Sequence, residues 1–95
     1  MLRTQYAIDF TPQAVRQLAS LPKAMQARIA RRIDNLATDP RPQGCEKITG
    51  GDDLYRIRVG DYRVVYQVRD ERLLILVILI GHRRDIYCHL SRLSC

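Results

Sequence analysis

Acidic residues are scarce in this chain. Ten Asp and Glu face sixteen Lys and Arg, a formal charge of +6. A small domain with that balance has a polyanion as its natural partner: nucleic acid, a ribosome or an acidic protein. Charge alone does not choose among these, and a merely solvated basic surface is the bland alternative. Cysteine is sparse as well. Cys45, Cys88 and Cys95 are an odd number without metal-ligand spacing, which excludes a disulfide framework and favours a reducing cytoplasm. Clusters of carboxylates and histidines are lacking, which argues against a metal site. Long hydrophobic runs are missing too. The longest, Leu73 to Ile80, is far too short to span a bilayer. The opening MLRTQYAIDFTP holds no apolar signal core. There are no repeats, low-complexity tracts or linkers. The expectation is one soluble, cytoplasmic domain over residues 1–95, without membrane association or cofactor.

What is present is a folding sequence, 46% hydrophobic. Tyr6 to Phe10 alternates apolar and polar, as a half-buried strand does. Thr11-Pro12 is a helix start: Thr11 can cap exposed backbone N–H groups, and Pro12 suits the first helical position. Val15, Leu18 and Ala19 form one apolar stripe before Leu21-Pro22 breaks the helix. A second helix is predicted from about Lys23 to Ala37. Met25, Ile29, Ile33 and Leu36 would face the core, with Arg28, Arg31 and Arg32 on the other side. Asp39-Pro40-Arg41-Pro42 ends the helical region.

Beyond it the period changes to that of strands. Leu54 to Val59, a Gly60-Asp61 turn and Tyr62 to Val68 read as a hairpin. Arg69 to Arg72 is a second polar turn. Leu73 to Ile80 suits a strand inside the sheet, ended by Gly81. Tyr87 to Leu93 reads as a short C-terminal helix or tail. The predicted class is α+β, with two N-terminal helices packed on one face of a twisted antiparallel sheet of about four strands.

A two-residue Gly60-Asp61 loop sets the pairing. Val59 falls opposite Tyr62, Arg58 opposite Arg63, and Arg56 opposite Val65. Arg56, Arg58 and Arg63 then share one face, while Tyr55, Ile57, Val64 and Tyr66 point toward the helices. Like charges opposed in a sheet are destabilising, so folding gains nothing from Arg58 against Arg63. An anion between them would explain the arrangement, since guanidinium groups hold phosphate in a planar, bidentate way. Neutralisation by Asp52, Asp53, Asp61 or Asp85 is the structural alternative. Gly81-His82-Arg83-Arg84-Asp85-Ile86-Tyr87 follows the central strand, and the strand end would deliver it to the same pocket. A lone Tyr is commonly packing and a lone His commonly a surface hydrogen-bonding residue. Their place beside clustered arginines favours function.

The stretches Tyr55 to Tyr66 and Gly81 to Tyr87 resemble the RelE/ParE superfamily of bacterial and archaeal toxins. Supporting matches are Phe10-Thr11-Pro12, Leu21-Pro22, Pro40, Gly44, Lys47-Ile48 and Gly50. The likeness covers all but the tail. It implies a RelE-like, microbial-ribonuclease-like fold. It implies a toxin that cleaves mRNA in the ribosomal A site without a metal and is neutralised by a cognate antitoxin. By resemblance, Arg56 and Arg58 stand where RelE enzymes carry basic residues, often lysine. Arg63 stands at a phosphate-stabilising arginine, Arg83 at a later basic residue, and Tyr87 at a tyrosine tied to proton transfer. Lys47 and Arg84 are taken as RNA-binding, and His82 as a further proton-transfer candidate.

Arginine is nearly always charged and donates protons poorly. If it replaces lysine, acid–base work shifts to Tyr87, His82 or ribosomal RNA. Tyrosine titrates at about 10 when unperturbed, and arginines beside Tyr87 would favour its phenolate. Arg28, Arg31 and Arg32 form a separate basic helix face, solvated or touching ribosomal RNA. If the second turn also has a two-residue loop, Leu74, Leu76, Ile78 and Ile80 share the arginine face. The tail or an antitoxin segment would then cover them. The alternatives are a ParE-like inhibitor of DNA gyrase, a non-catalytic RNA- or partner-binding module, and a degenerate toxin that only binds antitoxin.

Overall fold

The computed structural model describes residues 5–48 and 53–84. Tyr87, the predicted tail, Asp52 and Asp85 lie outside them. In chain order the elements are β1 (Ala7–Phe10), α1 (Pro12–Ala19), α2 (Lys23–Leu36), β2 (Glu46–Lys47), β3 (Leu54–Val59), β4 (Tyr62–Arg69), a 3-10 turn (Asp70–Arg72) and β5 (Leu74–His82). The strands form one sheet in the order β1-β5-β4-β3-β2. The α+β class is as expected, and the sheet proves to be five-stranded and mixed. β1 runs parallel to β5, with Ala7 opposite Leu74 and Phe10 opposite Val77. The fifth strand, β2, has two residues, too few to register as an alternating pattern.

The helices start and stop for local reasons. Thr11 accepts a hydrogen bond from the Ala14 N–H at 3.1 Å, and Pro12 occupies the first turn of α1. The Gln26 amide donates to the carbonyls of Ala19 and Leu21, fastening the turn between α1 and α2. From α2, Ile29, Ile33 and Leu36 are buried as its spacing demands. They meet Tyr55, Ile57, Val59, Val64, Tyr66, Val68, Ile75, Val77 and Ile80 on the covered face of the sheet.

The stripe expected on α1 is displaced. Ala14 is its fully buried residue, Leu18 is partly buried, and Val15 is 52% exposed. This short helix lies against β5, where its polar side chains are needed. Thr11 Oγ1 donates to the Ile78 carbonyl at 2.9 Å, and Gln17 Oε1 accepts from the Ile80 N–H at 2.8 Å. These bonds satisfy β5 backbone groups beyond the end of β1, an unpaired edge otherwise.

A second correction concerns β5. The loop from β4 is longer than two residues: Arg69 pairs with Leu74 around the 3-10 turn. Parity survives, so Leu74 and Leu76 do lie on the arginine face. The register then shifts at Val65/Tyr66, where Val65 pairs with Leu79 and Tyr66 with Val77. The extra residue Ile78 is a bulge, and beyond it every side chain changes face. Ile80 therefore enters the helix-side core and Leu79 takes the place expected for it. Ile78 and Ile48 pack with Val65 and Leu79 in a small cluster on the other face.

The end of the sheet away from the Gly60-Asp61 turn is clasped by polar groups. Arg41 forks onto Asp70, with Nη2 to Oδ2 at 2.8 Å, and its Nε donates to the Tyr55 hydroxyl at 2.8 Å. Tyr6 donates its hydroxyl proton to Asp70 at 2.6 Å. The Arg41 bond, then the Tyr6 bond, hold the Asp70 carboxyl below the usual carboxylate range. Tyr66, stacked on Tyr55, donates to the Pro40 carbonyl at 2.7 Å. Burial, followed by the neighbouring Cys45, raises the Tyr66 phenol above its ordinary value.

Candidate functional site

The arginine face is built by one hairpin. The register is the expected one: Val59 opposite Tyr62, Arg58 opposite Arg63, Ile57 opposite Val64, Arg56 opposite Val65. Gly60 has φ +61 and Asp61 lies outside the positive-φ residues, the backbone of a type II′ turn with glycine first. Its twist matches the strands, so Arg58 and Arg63 are fixed one pair in from the tip. β5 extends this row, because Gly81 lies opposite Arg63. A glycine there leaves the floor beside Arg63 without a side chain.

A cleft of about 220 Å³ opens on this face, lined by Gly44, Glu46, Arg56, Ile57, Arg58 and Arg63. Arg63 is half-buried and anchored to backbone. Its Nη1 donates to the carbonyls of Gly60 at 3.2 Å and Tyr62 at 3.0 Å. Its remaining N–H groups keep their donor capacity. Arg58 is exposed. Among the described residues, no carboxylate lies in ion-pair range of Arg58 or Arg63. Neither Asp53 nor Asp61 neutralises them. Arg56 differs: it is paired with Glu46, which stands directly opposite it in β2.

Glu46 is the site residue that sequence reasoning missed. Only the β2 pairing brings it to Arg56, and a two-residue strand after a proline-rich loop leaves almost no periodic trace. Lys47 is exposed and pairs with Tyr55, on the face away from the arginines. His82 pairs with Tyr62 and meets its ring edge-on at 5.8 Å between centroids, so the sheet separates it from the row. The Nδ1 of His82 accepts from the Arg84 N–H at 3.4 Å. The Arg83 N–H donates to the Asp61 carbonyl at 2.9 Å, so Arg83 leaves the sheet beside the hairpin tip and is exposed. Arg56, Arg58 and Arg63 are thus together, with Arg83 at their margin. Leu74 and Leu76 continue the same face, half-buried, toward the clasped end.

Among the described residues, no group of three His, Cys, Asp or Glu gathers as a metal site would require. No helix there is long and apolar enough to cross a membrane. The cleft offers an anchored Arg63 guanidinium, an exposed Arg58 and one carboxylate at its rim. Guanidinium donors so grouped can accommodate a tetrahedral oxyanion and offset added negative charge on it.

A family model described as the ParE toxin of the type II toxin–antitoxin system parDE matches residues 8–87. The mRNA interferase toxin RelE of Escherichia coli strain K12 is 30% identical over 80 residues, 82% of this chain and 83% of that protein. The archaeal RelE in a RelE–RelB complex from Pyrococcus horikoshii superposes with a TM-score of 0.75 at 36% identity, over 83% of this chain and 96% of that one. A doubly substituted E. coli RelE in the free state gives a TM-score of 0.77 at 25% identity, over 96% and 99% of the two chains. Both fold and sequence therefore carry the same assignment, and the chain belongs to the RelE/ParE superfamily of type II toxin–antitoxin toxins.

Proposed function

We propose that this toxin is an endoribonuclease that cleaves mRNA on the ribosome, with the arginine face as its active surface. The observation that carries this reading is Arg58 set against Arg63 in register at a cleft, neither neutralised by a carboxylate among the described residues. The relative named an mRNA interferase supports the substrate class.

RNA supplies its own nucleophile. The 2′-oxygen attacks the adjacent phosphorus as its proton passes to a base. The P–O5′ bond then breaks and the 5′-oxygen takes a proton from an acid. The products are a 2′,3′-cyclic phosphate and a 5′-hydroxyl. Negative charge builds on the non-bridging oxygens, where Arg63, held by the Gly60 and Tyr62 carbonyls, and Arg58 would stabilise it. Arg83 at the margin adds positive charge. Glu46, held in place by its pairing with Arg56, becomes a second candidate proton acceptor in addition to the Tyr87 that the resemblance implies. His82, behind the sheet, drops to a packing role.

Primer extension on mRNA after induction, with and without ribosomes, tests the reading. Ribosome-dependent cuts that vanish with Arg63→Ala support it, and full cleavage by Arg63→Ala and Arg58→Ala removes the site. An acidic antitoxin is the proposed partner. Solved relatives crystallise with RelB, and Leu74 and Leu76 offer a half-buried apolar margin on the arginine face. The matching family model is that of a ParE toxin, and a ParE-like inhibitor of DNA gyrase, which the resemblance also implies, is the second reading. Loss of supercoiling activity without RNA cleavage would establish that reading instead.

A further inference from the structure

Arg28 does not behave as part of a uniform basic face on α2. Its guanidinium lies over the hairpin tip: a Cβ built on Gly60 would meet Arg28 Nη1 at 3.4 Å and Cζ at 3.9 Å. Gly60 is the same residue whose carbonyl accepts from Arg63. Two guanidinium groups, one from the helix layer and one from the cleft, thus converge on the Gly60 backbone of one turn. Covalent geometry keeps them within about 10 Å of each other. Among the described residues, neither forms an ion pair. Asp61, the other residue of the turn, is exposed and is in salt-bridge range of neither. Such convergence is unfavourable without an anion, by the same reasoning that applies to Arg58 and Arg63. Because glycine has no side chain, an extended strand can pass over the tip from one cation to the other.

We infer that Arg28 is a second phosphate contact, through which single-stranded RNA leaving the Arg58/Arg63 cleft is held over the Gly60-Asp61 tip. This rests on the nuclease reading and extends it: the substrate is gripped at a phosphate flanking the one attacked. An RNA strand is favoured over an acidic protein because Arg63, which lines the cleft, is also bonded to the Gly60 carbonyl beneath Arg28. Arg32, one turn further along α2, carries the same charge and serves as the comparison.

The test is binding of a fluorescent RNA oligonucleotide, blocked by 2′-O-methyl groups, as a function of salt. The toxin is freed from its antitoxin first, and Arg28→Ala, Arg32→Ala and Arg63→Ala are compared with the unaltered protein. Loss of one single-strand phosphate contact lowers the log–log salt slope by about 0.7, equivalent to about eightfold weaker binding at 50 mM salt and about threefold at 200 mM. Arg28→Ala is expected to show this loss and Arg32→Ala to keep the parent slope. A methylphosphonate at one flanking position should abolish the difference between the parent and Arg28→Ala. Equal effects of Arg28→Ala and Arg32→Ala, or none from Arg28→Ala, overturn the tip contact while a loss with Arg63→Ala leaves the nuclease reading standing. Unchanged binding by Arg63→Ala as well overturns both. Weaker capture of the antitoxin by Arg28→Ala, with RNA binding intact, assigns the tip to the protein partner and overturns the inference.

Discussion

Replacing Arg58 by glutamine should make the fold more stable and the enzyme worse. Arg58 sits opposite Arg63 one pair in from a two-residue loop, a position where Cα atoms stand about 4.5 Å apart. Opposed like charges in a sheet cost about 0.2–1 kcal/mol. Arg63 has turned its guanidinium back to the Gly60 and Tyr62 carbonyls and Arg58 is exposed, so the lower half of that range applies. In a domain of this size the gain corresponds to a Tm rise of about 1–4 °C. The Debye length is about 10 Å at 0.1 M salt and about 3 Å at 1 M, so the gain should fade with salt. Circular-dichroism melts at both ionic strengths measure it, and the same gain should disappear in an Arg63→Gln background. mRNA cleavage should meanwhile fall by about 10²–10³, the range seen on removing one charge-stabilising donor. A lower Tm at low salt, or a gain that persists at 1 M, would refute the claim that Arg58 and Arg63 are opposed without compensation.

Three further outcomes follow from the backbone and the clasp. Asp70→Asn should lower the Tm at neutral pH. The folded carboxyl is held below its ordinary value of about 3.9, so its contribution is complete above that value and lost as pH falls through the depressed one. Melts as a function of pH should show parent and variant converging from about pH 4 downward. Gly60→Ala should destabilise by about 1–2 kcal/mol, since φ +61 disfavours a Cβ, measured by urea unfolding. Leu73→Asn should stabilise by about 0.5 kcal/mol in the same assay, because Leu73 is 42% exposed and holds a left-handed conformation that asparagine tolerates better.

The parts of this molecule that sequence could disclose are those governed by local rules. Thr11-Pro12 signals a capped helix because both residues act within one turn. The hairpin register is legible because a two-residue loop fixes every pair behind it, and with it the arginine row. The parallel partner of β1 was hidden, since alternation marks a strand without naming its neighbour. Ile80 was misplaced because a bulge adds a residue where the pattern is apolar on both faces, so nothing marks the slip. Glu46 escaped because its position depends on an edge pairing of two residues. Val15 was misjudged because α1 rests on β5 through Thr11 and Gln17 as much as through apolar contact.

Two of these misses, Ile80 and Glu46, share a cause that bears on function. Each concerns how β5 or β2 is attached to a hairpin whose own geometry is self-determined. The hairpin can be self-determined because one face of it carries the stability. Tyr55, Ile57, Val59, Val64, Tyr66 and Val68 are buried against the helices and β5. At about 1.5–3 kcal/mol for each large side chain fully buried, that face outweighs an opposed arginine pair several times over. The outer face is thereby free to hold charge in an arrangement that a folding criterion alone would remove. Arg56, whose charge is already met by Glu46, sits deeper, whereas Arg58 and Arg63 are left open at the tip. The gradient from compensated to uncompensated charge along β3 leaves the unmet positive charge near Gly60. A phosphodiester arriving there would meet its strongest attraction at the uncompensated Arg58 and Arg63, so recognition should begin at the hairpin tip and not beside the Glu46–Arg56 pair.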